Sequence, residues 1–172
     1  FLIENLEIQN NILQNAFEHK VKRLIFLGSS CVYPKFAEQP IKEESLLSGA
    51  LEPTNEAYAV AKIAGIKLCQ ALNKQHGTEF ITLMPCNLFG PGDNDDLETS
   101  HVRAALQRKF REAVQNGESK VILWGTGTPL REFLHADELA RACEFVMTHP
   151  NPPEILNVGS GEEISIADLA ML

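Results

Sequence analysis

Tyr58 and Lys62 stand four residues apart in Tyr58-Ala59-Val60-Ala61-Lys62, and Ser29 precedes them in Leu27-Gly28-Ser29-Ser30-Cys31-Val32-Tyr33-Pro34. On a helix, residues four apart project from one face, one turn from each other. A phenol is a poor proton donor or base at neutral pH, because its reference pKa is about 10. A cation held beside it favours the phenolate and lowers that value. A serine hydroxyl can bond both the phenol and a substrate oxygen. The trio is therefore a unit for moving a proton on and off a carbinol or carbonyl oxygen. Tyr-x-x-x-Lys alone is a weak signal, since an exposed lysine beside a half-buried tyrosine occurs in many helices.

The elements that must position these groups alternate between helix and strand. The pattern predicts a helix over residues 3–18, a buried strand over 24–28, and a long loop from Tyr33 to Glu52 broken by Pro34, Pro40 and Gly49. Thr54 or Asn55 can cap the next helix, which carries Tyr58 and Lys62 to about Gln75 and ends at Gly77. Strands are expected at 80–84, 121–124 and 155–158, with an extended piece at 131–134. Helices are expected from a Ser100 cap through about Gln115, over 137–148, and after a Ser165 cap. Ser29 then lies at the carboxyl end of a strand, where open α/β sheets place their ligands.

Composition narrows the class. The 172 residues are 44% hydrophobic and 22% charged, ordinary for a globular domain. A formal charge of −8 argues against nucleic-acid binding through a basic surface. An anionic ligand must be held by a local cluster. Cys31, Cys69, Cys86 and Cys143 form no Cys-x-x-Cys motif, so they read as reduced thiols in a cytoplasmic protein, with no metal site. No apolar run reaches transmembrane length and no signal peptide is visible, so no membrane association is expected.

Longer motifs carry a resemblance. They are Gly28-Ser29-Ser30-Cys31-Val32-Tyr33-Pro34-Lys35, Leu51-Glu52-Pro53-Thr54-Asn55-Glu56-Ala57-Tyr58, Met84-Pro85-Cys86-Asn87-Leu88-Phe89-Gly90-Pro91, Ser100-His101-Val102 and Trp124-Gly125-Thr126-Gly127-Thr128-Pro129. With these, the chain resembles the extended short-chain dehydrogenases/reductases that act on nucleotide sugars. Within them it is most similar to the bifunctional 3,5-epimerase/4-reductases of GDP-4-keto-6-deoxy-D-mannose. The resemblance implies part of a Rossmann-type doubly wound parallel sheet, mainly residues 1–90, and part of a smaller substrate-binding region, mainly 91–172. It implies NADPH as cofactor, a GDP-sugar as substrate and a homodimer of the full-length parent.

Residue roles follow from the same resemblance. Ser29, Tyr58 and Lys62 would serve C4 reduction, with Tyr58 protonating the nascent alkoxide. Cys31 and His101 would form the acid/base pair that epimerises C3 and C5. A thiol and an imidazole suit that work, because their reference values, about 8.5 and 6.5, bracket neutral pH. A helix N-terminus at His101 would hold the imidazole closer to neutral. Leu27, Gly28, Ser29, Ser30, Lys62, Pro85, Cys86, Asn87, Leu88 and His101 would line the cofactor. Asn87, Lys109, Trp124 and Arg131 would bind substrate, Arg131 by forking to a phosphate. Each has a plainer reading: buried thiol, satisfied histidine, turn asparagine, solvated lysine, core aromatic, surface ion pair.

Asp95 stands where the resemblance expects an aromatic, and Arg103-Ala104 where it expects an apolar residue and proline. No glycine-rich dinucleotide turn is present. Gly125-Thr126-Gly127 and Gly159-Ser160-Gly161 lack its spacing. Phe1 is not an initiator methionine, and both termini fall within helical patterns, so the chain reads as a fragment cut at both ends. Two alternatives stay open: another nucleotide-sugar epimerase or dehydratase of the same fold, or a catalytically inactive fragment. Simple C4 epimerisation needs only the Ser-Tyr-Lys unit, so Cys31 and His101 weigh against the first.

Overall fold

The structure, a computed structural model, describes residues 1–94 and 102–172. His101, the Ser100 cap and Asp95 lie outside the described residues. Two units interleave along the chain: Phe1–Cys86 with Leu139–Val158, and Asn87–Glu138 with Gly159–Leu172.

The first unit is built on a three-stranded parallel sheet in the order β1-β2-β5, with β1 at Arg23–Leu27, β2 at Glu79–Pro85 and β5 at Ile155–Val158. The register runs from Arg23↔Glu79 to Leu27↔Leu83 and from Thr82↔Ile155 to Pro85↔Val158. The central strand β2 is buried from Phe80 onward, as its near-continuous apolar run requires of a parallel strand covered on both faces. Helix α1 (Leu2–Glu18) packs on helix α2 (Glu56–His76). The buried Gln9 amide donates to the Ala61 carbonyl at 2.7 Å, so the one polar group of that seam is satisfied. Gly65 lets α2 approach β1, because a Cβ there would run into the Phe26 ring. The helix closes at Gly77, in the left-handed region at φ 68°.

Two polar side chains finish the amino end of this sheet. The Arg23 guanidinium bonds the Glu79 carboxylate and donates to the carbonyls of Met147 (2.6 Å) and His149 (2.8 Å). These carbonyls close helix α4 (Ala136–Thr148). The Asn73 carboxamide accepts from the Phe80 N–H and donates to the Phe80 carbonyl, both at 2.8 Å.

The second unit holds a mixed sheet, β3-β4-β6. Strand β3 (Asn87–Phe89) runs parallel to β4 (Leu130–His135), and β6 (Glu163–Ser165) antiparallel to it. Helix α3 is Val102–Asn116 and α5 is Ile166–Met171. The Ser165 hydroxyl caps α5, accepting from the Asp168 N–H at 3.0 Å.

Two local expectations differ from the structure. Residues 121–124 form no strand: Ile122 and Trp124 are exposed, and the segment has no ladder partner before Gly125 turns at φ 85°. Asn55 precedes α2 without a capping side-chain bond. Strands β3 and β6, three residues each, carry too few positions for a period to show in sequence.

Candidate active site

The site starts where β1 ends. Gly28 continues β1 against β2, its N–H donating to the Leu83 carbonyl at 2.8 Å. A Cβ at Gly28 would lie 3.0 Å from the Met84 sulfur and 3.2 Å from the Leu83 carbonyl oxygen, so a larger residue would push this backbone off β2. Ser29 stays extended, and the chain then folds into a 3-10 turn over Ser30–Val32. The Ser29 hydroxyl accepts from the Cys31 N–H at 3.2 Å. One residue thus caps the turn that presents the thiol.

Helix α2 brings the other partners. The half-buried Tyr58 phenol lies beside the Ser29 and Cys31 side chains. Burial, then the charge of Cys31, pushes the Tyr58 phenol up, and the Ser29 side chain opposes them. Lys62 donates its ammonium to the Leu27 carbonyl at 3.0 Å and lies over the rings of Phe26 (5.2 Å) and Tyr58 (5.7 Å). Burial pulls the Lys62 ammonium down. The sequence led us to expect a phenol lowered by its neighbouring cation. Here the cation is tied back to the Leu27 carbonyl, and burial with Cys31 pushes the phenol in the opposite direction.

Ser29, Cys31, Tyr58 and Lys62 therefore meet at the carboxyl end of β1, with Leu27, Gly28 and Ser30 beside them on the same chain segment. Pro85 ends β2, and the Cys86 N–H donates to the Val158 carbonyl at 3.0 Å, at the same end of the sheet. This arrangement can hold a carbonyl oxygen between a serine hydroxyl and a protonated phenol, with a thiol in reach of the same space.

The remaining candidates lie in the second unit. Asn87 and Leu88 are on β3, and the Asn87 amide donates to the Glu132 carbonyl at 2.9 Å. The Lys109 ammonium sits 4.5 Å over the Trp124 ring, which is 84% exposed. Arg131 is exposed on β4 and donates to the Leu130 carbonyl. Among the described residues no cluster of three or more His, Cys, Asp or Glu could hold a metal, and no helix is long and apolar enough to cross a membrane.

Sequence reasoning did not single out Phe26, whose ring lies under Lys62. The alternation of β1 could have found it, since Phe26 is its buried position. Nor did it find Asn157, which takes the Tyr33 hydroxyl at 2.5 Å across 124 residues. No local signal carries such a pair.

The NAD dependent epimerase/dehydratase family matches residues 1–159. The chain belongs to this family. Its parallel sheet with helices is that of a Rossmann-type epimerase/reductase fold. The chain is 58% identical to GDP-L-fucose synthase 1 of Arabidopsis thaliana over its whole length, covering 53% of that protein. It is 48% identical to the GDP-L-fucose synthase of Escherichia coli (strain K12), matching 99% of this chain and 56% of that one. A GDP-L-fucose synthetase from Naegleria fowleri, solved bound to NADP, superposes with a TM-score of 0.92 at 35% identity. That match covers 99% of this chain and 55% of the other. The chain spans about half the length of the curated relatives it matches.

Proposed function

We propose that this chain supplies the proton-transfer machinery of an NADPH-dependent enzyme that converts GDP-4-keto-6-deoxy-D-mannose to GDP-L-fucose. The observation that carries the reading is the meeting of Ser29, Cys31 and Tyr58 beside Lys62 at the end of β1. Its GDP-L-fucose synthase relatives and the NADP in the Naegleria structure support the same substrate and cofactor.

The residues present fit a nicotinamide ribose. Lys62 uses one donor on Leu27, and an ammonium has three, which leaves two for ribose hydroxyls. Leu27, Gly28, Ser30, Pro85, Cys86, Asn87 and Leu88 would surround the nicotinamide end. When bound, NADPH supplies the hydride for C4. The Cys31 thiolate removes the proton beside the 4-keto group, and His101 returns one on the opposite face, at C3 and again at C5. Ser29 holds the C4 oxygen. Tyr58, kept protonated by burial, gives its proton to that oxygen as the alcohol forms. Arg131 and Lys109 meet the diphosphate, and Trp124 offers its ring to the guanine.

The full-length protein would be a cytoplasmic homodimer. Ile8 and Ile12 on α1 and Val60 on α2 are exposed apolar residues of the helix pair that would meet across the twofold. Light scattering behind a sizing column tests the dimer. The function is tested by giving the full-length protein the 4-keto sugar and NADPH in deuterium oxide. NADPH absorbance should fall while deuterium enters C3 and C5. No oxidation and no exchange by a folded protein would overturn the reading.

A further inference from the structure

Cys31 is the middle residue of a three-residue turn, so its position is set by what holds the two ends. Ser29 holds the first. The second is Tyr33, whose N–H donates to the Ser30 carbonyl at 3.3 Å and whose side chain is 4% exposed. Its hydroxyl donates to the Asn157 Oδ1 at 2.5 Å. Asn157 is itself fixed on three sides. It lies in β5 opposite Met84 of β2, its amide donates to the Ile41 carbonyl at 3.0 Å, and its backbone N–H donates to the Glu43 carboxylate at 2.8 Å. A side chain two residues past the thiol is thus bonded to the sheet, and the sheet to the long loop.

We infer that Tyr33 and Asn157 form a brace that sets where the Cys31 thiol sits, and that both are positioning residues for the proton transfer at that thiol. The catalytic part of this inference rests on the proposed function above; the positional part does not. Burial, then the charge of Glu43, pushes the Tyr33 phenol up to about 12, so it remains a donor to Asn157 throughout the neutral range. The brace therefore does not switch with physiological pH. It acts as a fixed strut, and its removal should loosen one turn rather than rearrange the fold.

The test uses the full-length protein and two readouts. Iodoacetamide labelling, followed by mass spectrometry of the peptides, gives a rate for each cysteine without needing activity. Tyr33→Phe removes only the hydroxyl. Cys31 should then label about two- to tenfold faster, the factor one lost hydrogen bond is worth to the opened turn. Cys143, on α4, should be unchanged. Glu43→Gln keeps an acceptor for the Asn157 N–H and should leave Cys31 near wild type. Glu43→Ala should shift Cys31 as Tyr33→Phe does, and it stands in if the core variant fails to fold. Deuterium exchange at C3 and C5 should fall by a similar factor in the variants that free the thiol. If Cys31 labels at the wild-type rate in Tyr33→Phe and Glu43→Ala, even with a lowered melting temperature, the network only stabilises the fold and the inference is overturned. Faster labelling with undiminished exchange overturns the catalytic part. Faster labelling in a protein whose wild type shows no exchange means the proposed function has failed while the brace stands.

Discussion

The two units hold their candidate groups in opposite ways. In the first, Tyr58 and Lys62 are half-buried, Lys62 tied to the Leu27 carbonyl at the end of β1 and Tyr58 beside Ser29. In the second, Trp124 is 84% exposed on a segment without regular structure, with Lys109 over its ring and Arg131 open on β4. Groups that pass a proton need fixed distances and a shifted pKa, and burial against a sheet provides both. Groups that receive a large anionic ligand must stay reachable until it arrives. An exposed tryptophan with a lysine over its ring is a surface such a ligand would cover.

The contrast is sharpened most by substitution of the thiol. In the full-length protein, Cys31→Ser replaces a thiol by a hydroxyl, a group far harder to ionise. Deuterium entry at C3 and C5 should slow by about 10²–10⁴-fold. Tyr58→Phe should cut NADPH consumption by a similar factor while exchange continues. If Tyr58→Phe abolished exchange and spared reduction, the assigned roles would be inverted.

The open surface should respond differently. Arg131→Ala removes a charge-assisted contact, so KM for the GDP-sugar should rise about tenfold to a hundredfold with kcat nearly kept. A fall in kcat at constant KM, measured by initial rates, would move Arg131 into the proton-transfer machinery and dissolve the distinction between the units.

Packing supplies a smaller effect. Gly65→Ala gains helix propensity but drives a methyl into the Phe26 ring under Lys62. Overpacking of this kind costs about 1–3 kcal/mol, which outweighs the propensity gain of about 1 kcal/mol. Urea unfolding should show a net loss. A stabilised variant would mean that α2 rides further from β1 than described.

The smallest effect is a pH dependence. Burial, more than any other cause, pushes the Cys69 thiol and the Tyr33 phenol up, each to about 12, from ordinary values of 9.0 and 10.0. Between those limits the unfolded chain binds fewer protons than the folded one. Their contribution is therefore complete below pH 9 and is lost as pH rises toward 12. Tyr33→Phe should make the decline above pH 10 shallower, read from urea midpoints across that range.

The sequence made some of this legible and hid the rest for physical reasons. The strands β1, β2 and β5 show as apolar runs, and in the central β2 that run is buried on both faces. The Tyr58–Lys62 spacing shows because a helix repeats every 3.6 residues. Residues 121–124 misled, because the apolar run Val121-Ile122-Leu123-Trp124 finds no neighbouring strand among the described residues. The tie of Lys62 to the Leu27 carbonyl depends on how closely Gly65 admits the helix. The strut from Tyr33 to Asn157 joins positions 124 residues apart. Only the closed fold brings either into being.

The carboxamide of Asn73 has a consequence of its own. Pro150, Pro152 and Pro153 precede β5, and β5 pairs with β2 only from Thr82 onward. That leaves the N–H and carbonyl of Phe80 facing a place where a neighbour should run. Asn73 fills it with one donor and one acceptor, the same two groups a backbone residue would bring. A single side chain from the last turns of α2 thus acts as a substitute rung. It lets a proline-rich connection border a buried strand without leaving that strand frayed.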